Sequence, residues 1–182
     1  MISRSSIAEL AAGLERFQRG GADAEIVRWL TAQCAAATRV PKPAKASPEH
    51  GYTRTLLHKT EQFEIVVIHW PPHCVTPVHD HGGALCWFAV ADGTVGVENY
   101  VRCDAGTRPG YAQIQLDGRE SLYRGGIDSR SDDVHLHRCL TEDHPATTLH
   151  VYARPIEHFL TFDEKANSCL NVDSRYDAVL AP

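Results

Sequence analysis

Two amphipathic helices are predicted at the start of the chain from the spacing of its apolar residues. Between residues 5 and 19, and again between 24 and 38, apolar side chains recur three or four positions apart, as on one face of a helix. Gly20-Gly21 separates the two segments. A helix pair can read DNA, but this one shows no basic recognition face. We therefore expect it to pack against the outside of the remaining chain.

After residue 50 the helical periodicity gives way to short apolar or alternating runs bounded by Gly, Pro and Asp. The dipeptides Asp92-Gly93 and Asp117-Gly118 predict hairpin turns between such runs. Many short strands in succession indicate an antiparallel sandwich or barrel. The proline-rich residues 40–48 are predicted to be a linker, and the tail after Phe162 gives no clear pattern. The predicted strands are residues 52–58, 63–70, 84–90, 94–101, 111–116, 121–123, 134–140, 147–152 and 159–162.

Length and composition predict a single domain that spans residues 1–182. It comprises a helical segment at 1–39 and a barrel at 50–165. Of the 182 residues, 43% are hydrophobic, which is enough apolar material for one core. The net charge of -5 argues against nucleic acid or an anionic membrane as the main partner. The N-terminus lacks the apolar core of a signal peptide, so we expect a cytoplasmic protein, and a monomer is favoured. Six scattered cysteines without a Cys-x-x-Cys pair predict mostly buried free thiols.

Candidate chemistry is concentrated around His79 and His81. On an extended chain, two residues one position apart project to the same side. Two imidazoles on one side can hold one transition metal. Cys86 has the opposite parity, so a bulge or bend at Gly82-Gly83 is needed if all three side chains face inward.

The surrounding residues give a family resemblance. His79-Asp80-His81, Cys86 and Gly93 have the spacing of the first cupin motif, Gly-x5-His-x-His-x3,4-Glu-x6-Gly, with cysteine in place of the glutamate. Three further groups follow the order seen in cysteine dioxygenases, and over about residues 50–163 the chain resembles this family of cupin-fold thiol dioxygenases. The resemblance implies a mainly β fold, a cupin barrel (a jelly-roll-like, double-stranded β-helix) with N-terminal α-helices. The three groups are Tyr52-Thr53-Arg54, Leu136-His137-Arg138 and Thr148-Leu149-His150-Val151-Tyr152.

The same resemblance implies one ferrous ion per chain, bound by His79, His81 and His137. Without the glutamate, three neutral ligands leave room for a thiolate and for dioxygen, which becomes negatively charged on reduction. His135 lies two residues before His137 and on a strand faces the same side, so it either lines the mouth of the pocket or is an ordinary polar residue.

Catalytic and substrate-binding roles are also implied by the resemblance. Cys86 and Tyr152 match a pair that forms a thioether cross-link in some members of the family, and His150 matches part of a relay that holds the tyrosine hydroxyl. Arg54 matches the arginine that binds the substrate carboxylate, and Tyr52 lies on the same strand face. A guanidinium suits this role because it grips a carboxylate with two parallel hydrogen bonds.

The activity that the resemblance implies is the oxidation of L-cysteine with O2 to cysteine sulfinic acid. Where the family often reads Ser-Pro-Pro, this chain has Ala153-Arg154-Pro155, so Arg154 keeps a dicarboxylic thiol such as mercaptosuccinate open as a substrate. 3-Mercaptopropionate is a further candidate. Outside thiol oxidation, the alternatives are a cupin isomerase or hydrolase that uses zinc or manganese, and a metal-binding cupin without turnover.

Overall fold

The computed structural model describes residues 4–20, 24–37, 51–130 and 135–180; the predicted linker at residues 40–48 lies outside them. The two predicted helices are confirmed as α1 (Arg4–Gln18) and α2 (Ala24–Ala37). In the described ranges, twelve strands follow the helices. They are β1 (Thr53–Lys59), β2 (Glu64–Trp70), β3 (Val78–His79), β4 (Leu85–Asp92), β5 (Thr94–Arg102), β6 (Ile114–Tyr123), β7 (Ile127–Arg130), β8 (His135–Leu140), β9 (Ala146–Ala153), β10 (His158–Asp163), β11 (Ser168–Asp173) and β12 (Ala178–Val179).

The strands form two six-stranded sheets that pack face to face. The helix-covered sheet has the order β12-β1-β2-β9-β4-β7, and the open sheet has the order β11-β10-β3-β8-β5-β6. All pairs are antiparallel except β1 with β12. The predicted mainly β fold with two N-terminal helices is therefore confirmed.

Both helices lie on the outer face of the helix-covered sheet, as expected. Leu14 of α1 and Val27 of α2 share a buried cluster with Phe63 and Val67, and Phe17 meets Trp87 edge to face at 5.6 Å between ring centroids. The other face of this sheet packs on the open sheet through a second cluster. Strands buried on both faces read as continuous apolar runs, which explains the sequence of β2.

The predicted hairpin turn at Asp117-Gly118 is wrong, because both residues lie inside β6. The register places Asn99 opposite Gly118 but Tyr100 opposite Leu116, so Asp117 is the extra residue of a β-bulge. The long neighbouring strand β5 continues past this point and pairs with both halves of β6. Its pairing outweighs the local turn preference, whereas Asp92-Gly93 does form the predicted turn between β4 and β5.

The sequence patterns missed four strands: β3, β7, β11 and β12. Two of them are only two residues long, and the burial of β7 and β11 does not follow a clear alternation. The cysteine prediction is confirmed: all six are free, and Cys103 is the exposed one. Neither described helix is long and apolar enough to cross a membrane.

Candidate metal centre

Three histidines converge where β3 and β8 pair in the open sheet. His79 and His137 are directly opposite each other across these strands, and His81 follows on the loop after β3. The ring centroids lie 4.7 Å apart for His79 and His137, 4.9 Å for His81 and His137, and 5.4 Å for His79 and His81. One nitrogen from each ring lies within 4.8 Å of the others. Within the described part of the chain, no other group of His, Cys, Asp and Glu side chains meets this condition.

The loop that carries His81 is fixed by Asp80, whose side chain is buried rather than solvated. Its Oδ1 accepts the backbone N–H groups of Gly82 at 3.1 Å and Leu160 at 2.8 Å. The backbone N–H of Asp80 donates to Leu160 O at 3.1 Å. These bonds tie the loop to β10 and so hold His79 and His81 in one orientation.

Gly82 and Gly83 supply the predicted bend between His81 and Cys86. Both have positive φ, 58° and 76°, a conformation that glycine adopts without strain. A Cβ at Gly82 would lie 2.3 Å from the carbonyl oxygen of His158, so no larger residue fits there. The bend is confirmed, and it explains how His79 and His81 face the cavity while Cys86, of opposite parity, faces the core between the sheets.

The histidines are arranged to be neutral, which a metal ligand must be. Burial holds the pKa values of His81 and His137 well below their usual range, and enclosure of His79 lowers its pKa to about 4. His79 Nδ1 donates to Pro77 O at 3.0 Å, which leaves its Nε2 as the ligand atom. Among the described residues, the buried Nδ1 atoms of His81 and His137 have no hydrogen-bond partner. A cluster of neutral imidazoles whose nitrogens make few hydrogen bonds to the protein is a suitable site for a transition metal.

A partly buried ion pair lies behind His137, and the sequence patterns did not predict it. Asp128 and Arg130 of β7 form this pair, with Arg130 Nε donating to Asp128 Oδ2 at 3.0 Å. The same Oδ2 lies 3.5 Å from His137 Nδ1. Arg130 also donates to Asn99 Oδ1 at 2.5 Å, which fixes the pair to β5. A carboxylate behind a ligating histidine orients the ring and strengthens it as a ligand.

The histidines line a cavity of about 260 Å³ between the two sheets. This volume suits a ligand smaller than a typical drug. The open sheet contributes the histidines, and the helix-covered sheet contributes most of the facing wall. That facing wall includes Tyr52, Arg54, Ile68, Trp70, His150 and Tyr152.

Arg54 is buried in this wall. Its NH1 donates to Ser174 Oγ at 2.9 Å, and its guanidinium carbon lies 5.8 Å from the ring centroid of Tyr176. No described carboxylate forms an ion pair with its guanidinium. A buried arginine that faces a cavity in this way can bind an anionic ligand. Tyr52 lies nearby, with its ring 4.9 Å from that of Trp70.

A chain of hydrogen bonds runs along β9 to Tyr152. Trp70 Nε1 donates to Thr148 Oγ1 at 2.8 Å, Thr148 Oγ1 lies 2.7 Å from His150 Nε2, and His150 Nδ1 lies 3.1 Å from the Tyr152 hydroxyl. An indole N–H only donates, so we assign the Thr148 hydrogen to His150 Nε2. Burial keeps the pKa of His150 well below its usual range, so the neutral ring donates from Nδ1 to Tyr152. The hydroxyl hydrogen of Tyr152 is then left for a ligand.

Cys86 is fully buried and directly opposite Tyr152 across β4 and β9. Side chains at opposite positions of an antiparallel pair have Cβ atoms about 4.5–5.5 Å apart. Burial raises the pKa of the Cys86 thiol well above its usual range. The thiol is therefore protonated in the metal-free protein.

His135 and Arg154 lie outside the cavity. His135 is exposed at the start of β8. Arg154 is also exposed; its NH2 donates to Gly82 O at 3.1 Å, and it lines a separate depression with Lys59 and His158. Arg54 therefore lines the cavity of the histidines, and Arg154 does not.

The family comparisons agree with this geometry. A family model described as cysteine dioxygenase type I matches residues 1–165. The cysteine dioxygenase type 1 of Danio rerio is 24% identical over 120 residues, which is 64% of this chain and 58% of the relative. The chain thus spans less than two thirds of that curated relative.

Solved structures with a similar fold are more distant. A protein from Thermus thermophilus has a TM-score of 0.45 at 20% identity, covering 61% of this chain and 90% of its own. A sugar phosphate isomerase of the cupin superfamily from Silicibacter pomeroyi has a TM-score of 0.41 at 17% identity, covering 66% and 72%. Because the family model spans residues 1–165 of 182, the chain belongs to the cysteine dioxygenase type I family.

Proposed function

We propose that this protein is a non-haem Fe(II) thiol dioxygenase that oxidises L-cysteine with O2 to cysteine sulfinic acid. The observation that carries the proposal is one small cavity lined on one side by His79, His81 and His137 and on the other by Arg54 and Tyr152. Membership of the family supports the reaction type, and the buried arginine supports a carboxylate-bearing thiol as the substrate.

We infer that the three histidines hold one ferrous ion. Their neutral nitrogens are suitable ligands for Fe(II), and a site without a carboxylate ligand suits a substrate that arrives as a thiolate. Bound there, ferrous iron would activate O2 beside the thiolate, whose sulfur supplies the four electrons for its own oxidation to the sulfinate. Asp80 and Asp128 keep the rings in place, because they fix the loop after β3 and the back of His137.

Arg54 orients the substrate. The guanidinium binds the carboxylate, so the thiol and amine are directed across the cavity towards the histidines. Tyr52 and Trp70 form an aromatic wall beside Arg54 and exclude water from that end of the cavity. Removal of water strengthens the electrostatic attraction between guanidinium and carboxylate.

Tyr152 holds a proton on its hydroxyl, at the cavity end of the relay from Trp70. Burial raises the pKa of this phenol well above its usual range, so it acts as a hydrogen-bond donor and not as a base. Because His150 donates to the phenol oxygen, the remaining hydroxyl hydrogen stabilises negative charge that develops on the reacting oxygen atoms.

We also propose that Cys86 and Tyr152 form a thioether bond during turnover, in which the Cys86 S–H and one ring C–H of Tyr152 are lost and O2 accepts the two electrons and two protons. Their opposed positions on β4 and β9 support it, since the bond needs no change of strand register. Intact-mass measurement should show the loss of two hydrogens in a fraction of wild-type protein and none in Cys86→Ser. An unchanged wild-type mass after many turnovers would rule the bond out.

Oxygen uptake by ferrous-loaded protein tests the proposed function. L-Cysteine, 3-mercaptopropionate and mercaptosuccinate are supplied in turn, and we expect L-cysteine to give the highest kcat/KM. Faster uptake with mercaptosuccinate would transfer the substrate role to a dicarboxylic thiol. The absence of uptake with every thiol, together with zinc or manganese in the purified protein, would favour the isomerase alternative. A cytoplasmic location and a monomeric state remain predictions.

A further inference from the structure

The C-terminal strap, residues 172–177, covers one end of the cavity although it lies beyond the residues that match the family model. Val172, Ser174 and Tyr176 are partly buried, while the residues between them are exposed. Val172 and Ser174 line the cavity that contains the histidines. The alternation shows that one face of the strap belongs to the site.

The strap holds Arg54 at several points. Ser174 Oγ accepts from the guanidinium NH1 at 2.9 Å. Asp177 binds the backbone of Arg54 on both sides: its Oδ2 accepts from Arg54 N at 2.8 Å, and its N–H donates to Arg54 O at 2.9 Å. The Tyr176 ring packs below the guanidinium. Backbone and side chain of the arginine are therefore positioned by the same short segment.

Tyr176 anchors the strap to the barrel. Its hydroxyl donates to Glu64 Oε2 and accepts from Lys59 Nζ at 3.2 Å. Glu64 is fully buried, and its other carboxylate oxygen has no hydrogen-bond partner in the part of the chain that the structure describes. Release of Tyr176 would leave both oxygens of a buried carboxylate unsatisfied, which is costly. The anchor therefore keeps the strap closed over Arg54.

We propose that the strap is a specificity-determining part of the substrate site, in which Ser174 binds the substrate carboxylate together with Arg54. This inference rests on the proposed function. The serine oxygen already accepts from Arg54, so its own hydrogen is free to donate, and Ser174 lines the cavity. A carboxylate held by the guanidinium then receives a further hydrogen bond from the serine. The site selects short thiols with one carboxylate at the strap end.

Ser174→Ala tests the carboxylate contact. We expect KM for L-cysteine to rise about tenfold with little change in kcat, as for loss of a hydrogen bond to a charged group. KM for cysteamine, which lacks the carboxylate, should stay unchanged. Ser174→Thr, which keeps the hydroxyl, should restore most of the affinity, and Ser121→Ala on exposed β6 is the matched control. An equal rise for both thiols, or no rise, would overturn the role of Ser174.

A chemical measurement tests the strap without turnover. Phenylglyoxal modifies accessible arginines, and mass spectrometry reports each site. In Tyr176→Ala, we expect Arg54 to react about fivefold faster than in wild type, because the strap opens more often. Exposed Arg108 is the internal reference, and Tyr123→Ala, a change at a largely exposed tyrosine, is the control variant. An unchanged rate of Arg54 modification would contradict the role of the strap. This result can be obtained even if no thiol is oxidised and the proposed function fails.

Discussion

The two sheets place the residues of the site in two different environments. The helix-covered sheet has α1 and α2 on one face and the cavity side on the other, so β2 and β9 are buried almost throughout. In the described ranges no helix covers the open sheet, and strands such as β6 and β11 are largely exposed. The first sheet carries Arg54 and Tyr152, and the second carries the metal-site histidines.

This difference shows two ways to fix a functional side chain. Arg54, His150 and Tyr152 lie on strands held by packing on both faces, so general stability keeps them in place. His79 and His137 lie on the open sheet and His81 on the loop after β3, where Asp80 fixes the loop and Asp128 lies behind the His137 ring. Core substitutions should therefore act mainly through the helix-covered sheet, and iron affinity should depend on a few polar contacts next to the histidines. Asp80 makes them after β3, and Asp128 makes them from β7 at the edge of the helix-covered sheet.

The largest effect is expected from the core of the helix-covered sheet. Leu149→Ala on β9 removes a fully buried side chain between helices and sheet and should lower the free energy of unfolding by about 2–5 kcal/mol. Leu160→Ala on β10, at a partly buried position, should cost about half as much or less. Urea unfolding measures both. Equal losses would contradict the contrast between the sheets.

The second-largest effect is expected from removal of the carboxylate behind His137, which should weaken iron binding. Asp128→Asn keeps the shape but not the charge, and the Kd for Fe(II) should rise about 10- to 100-fold. Asp104→Asn is the matched control, because Asp104 forms a similar pair with Arg102 away from the histidines. Anaerobic competition with a metal-binding dye measures the affinity. If both variants bind iron like wild type, Asp128 does not position His137.

Asp80→Ala should affect both stability and metal. The change leaves the N–H groups of Gly82 and Leu160 without their acceptor, and we expect a loss of about 1–3 kcal/mol in the free energy of unfolding. Iron affinity should also fall, because the loop loses its anchor to β10. Asp163→Ala removes an exposed carboxylate that also accepts two backbone N–H groups, and it should leave iron affinity unchanged. If Asp80→Ala binds iron as tightly as wild type, the position of the loop after β3 does not depend on Asp80.

The smallest effect is expected on the pH dependence of the stability of the metal-free protein. The pKa of folded His79 is about 4, below the usual value of 6.5, so the unfolded chain binds more protons between these values. The contribution of neutral His79 is therefore complete above pH 6.5 and is lost as the pH falls towards 4. His79→Gln should reduce the loss of stability between pH 7 and 5 by about 2 kcal/mol. Exposed His144→Gln should not change it, and a similar slope in all three proteins would contradict the shift.

The strand periodicity and the family motifs were informative where each residue's role has a local signature. Alternation along Thr148, His150 and Tyr152 places them on one face, and the glycines after His81 indicate the bend. Asp128 and Arg130 have no such signature, because their role depends on β7 pairing with β4 far away in sequence. The strap likewise shows no pattern of its own, since Ser174 and Tyr176 gain their roles only when the tail returns to β1.

Isotope-labelled dioxygen gives the most direct test of the central claim, that the cavity between the sheets oxidises L-cysteine with both atoms of O2. Ferrous-loaded protein is supplied with L-cysteine under the labelled gas, and the product is analysed by mass spectrometry. We predict cysteine sulfinic acid in which both sulfinate oxygens carry the label. Unlabelled or singly labelled sulfinate formed directly by the enzyme, or cystine as the only product, would contradict the account.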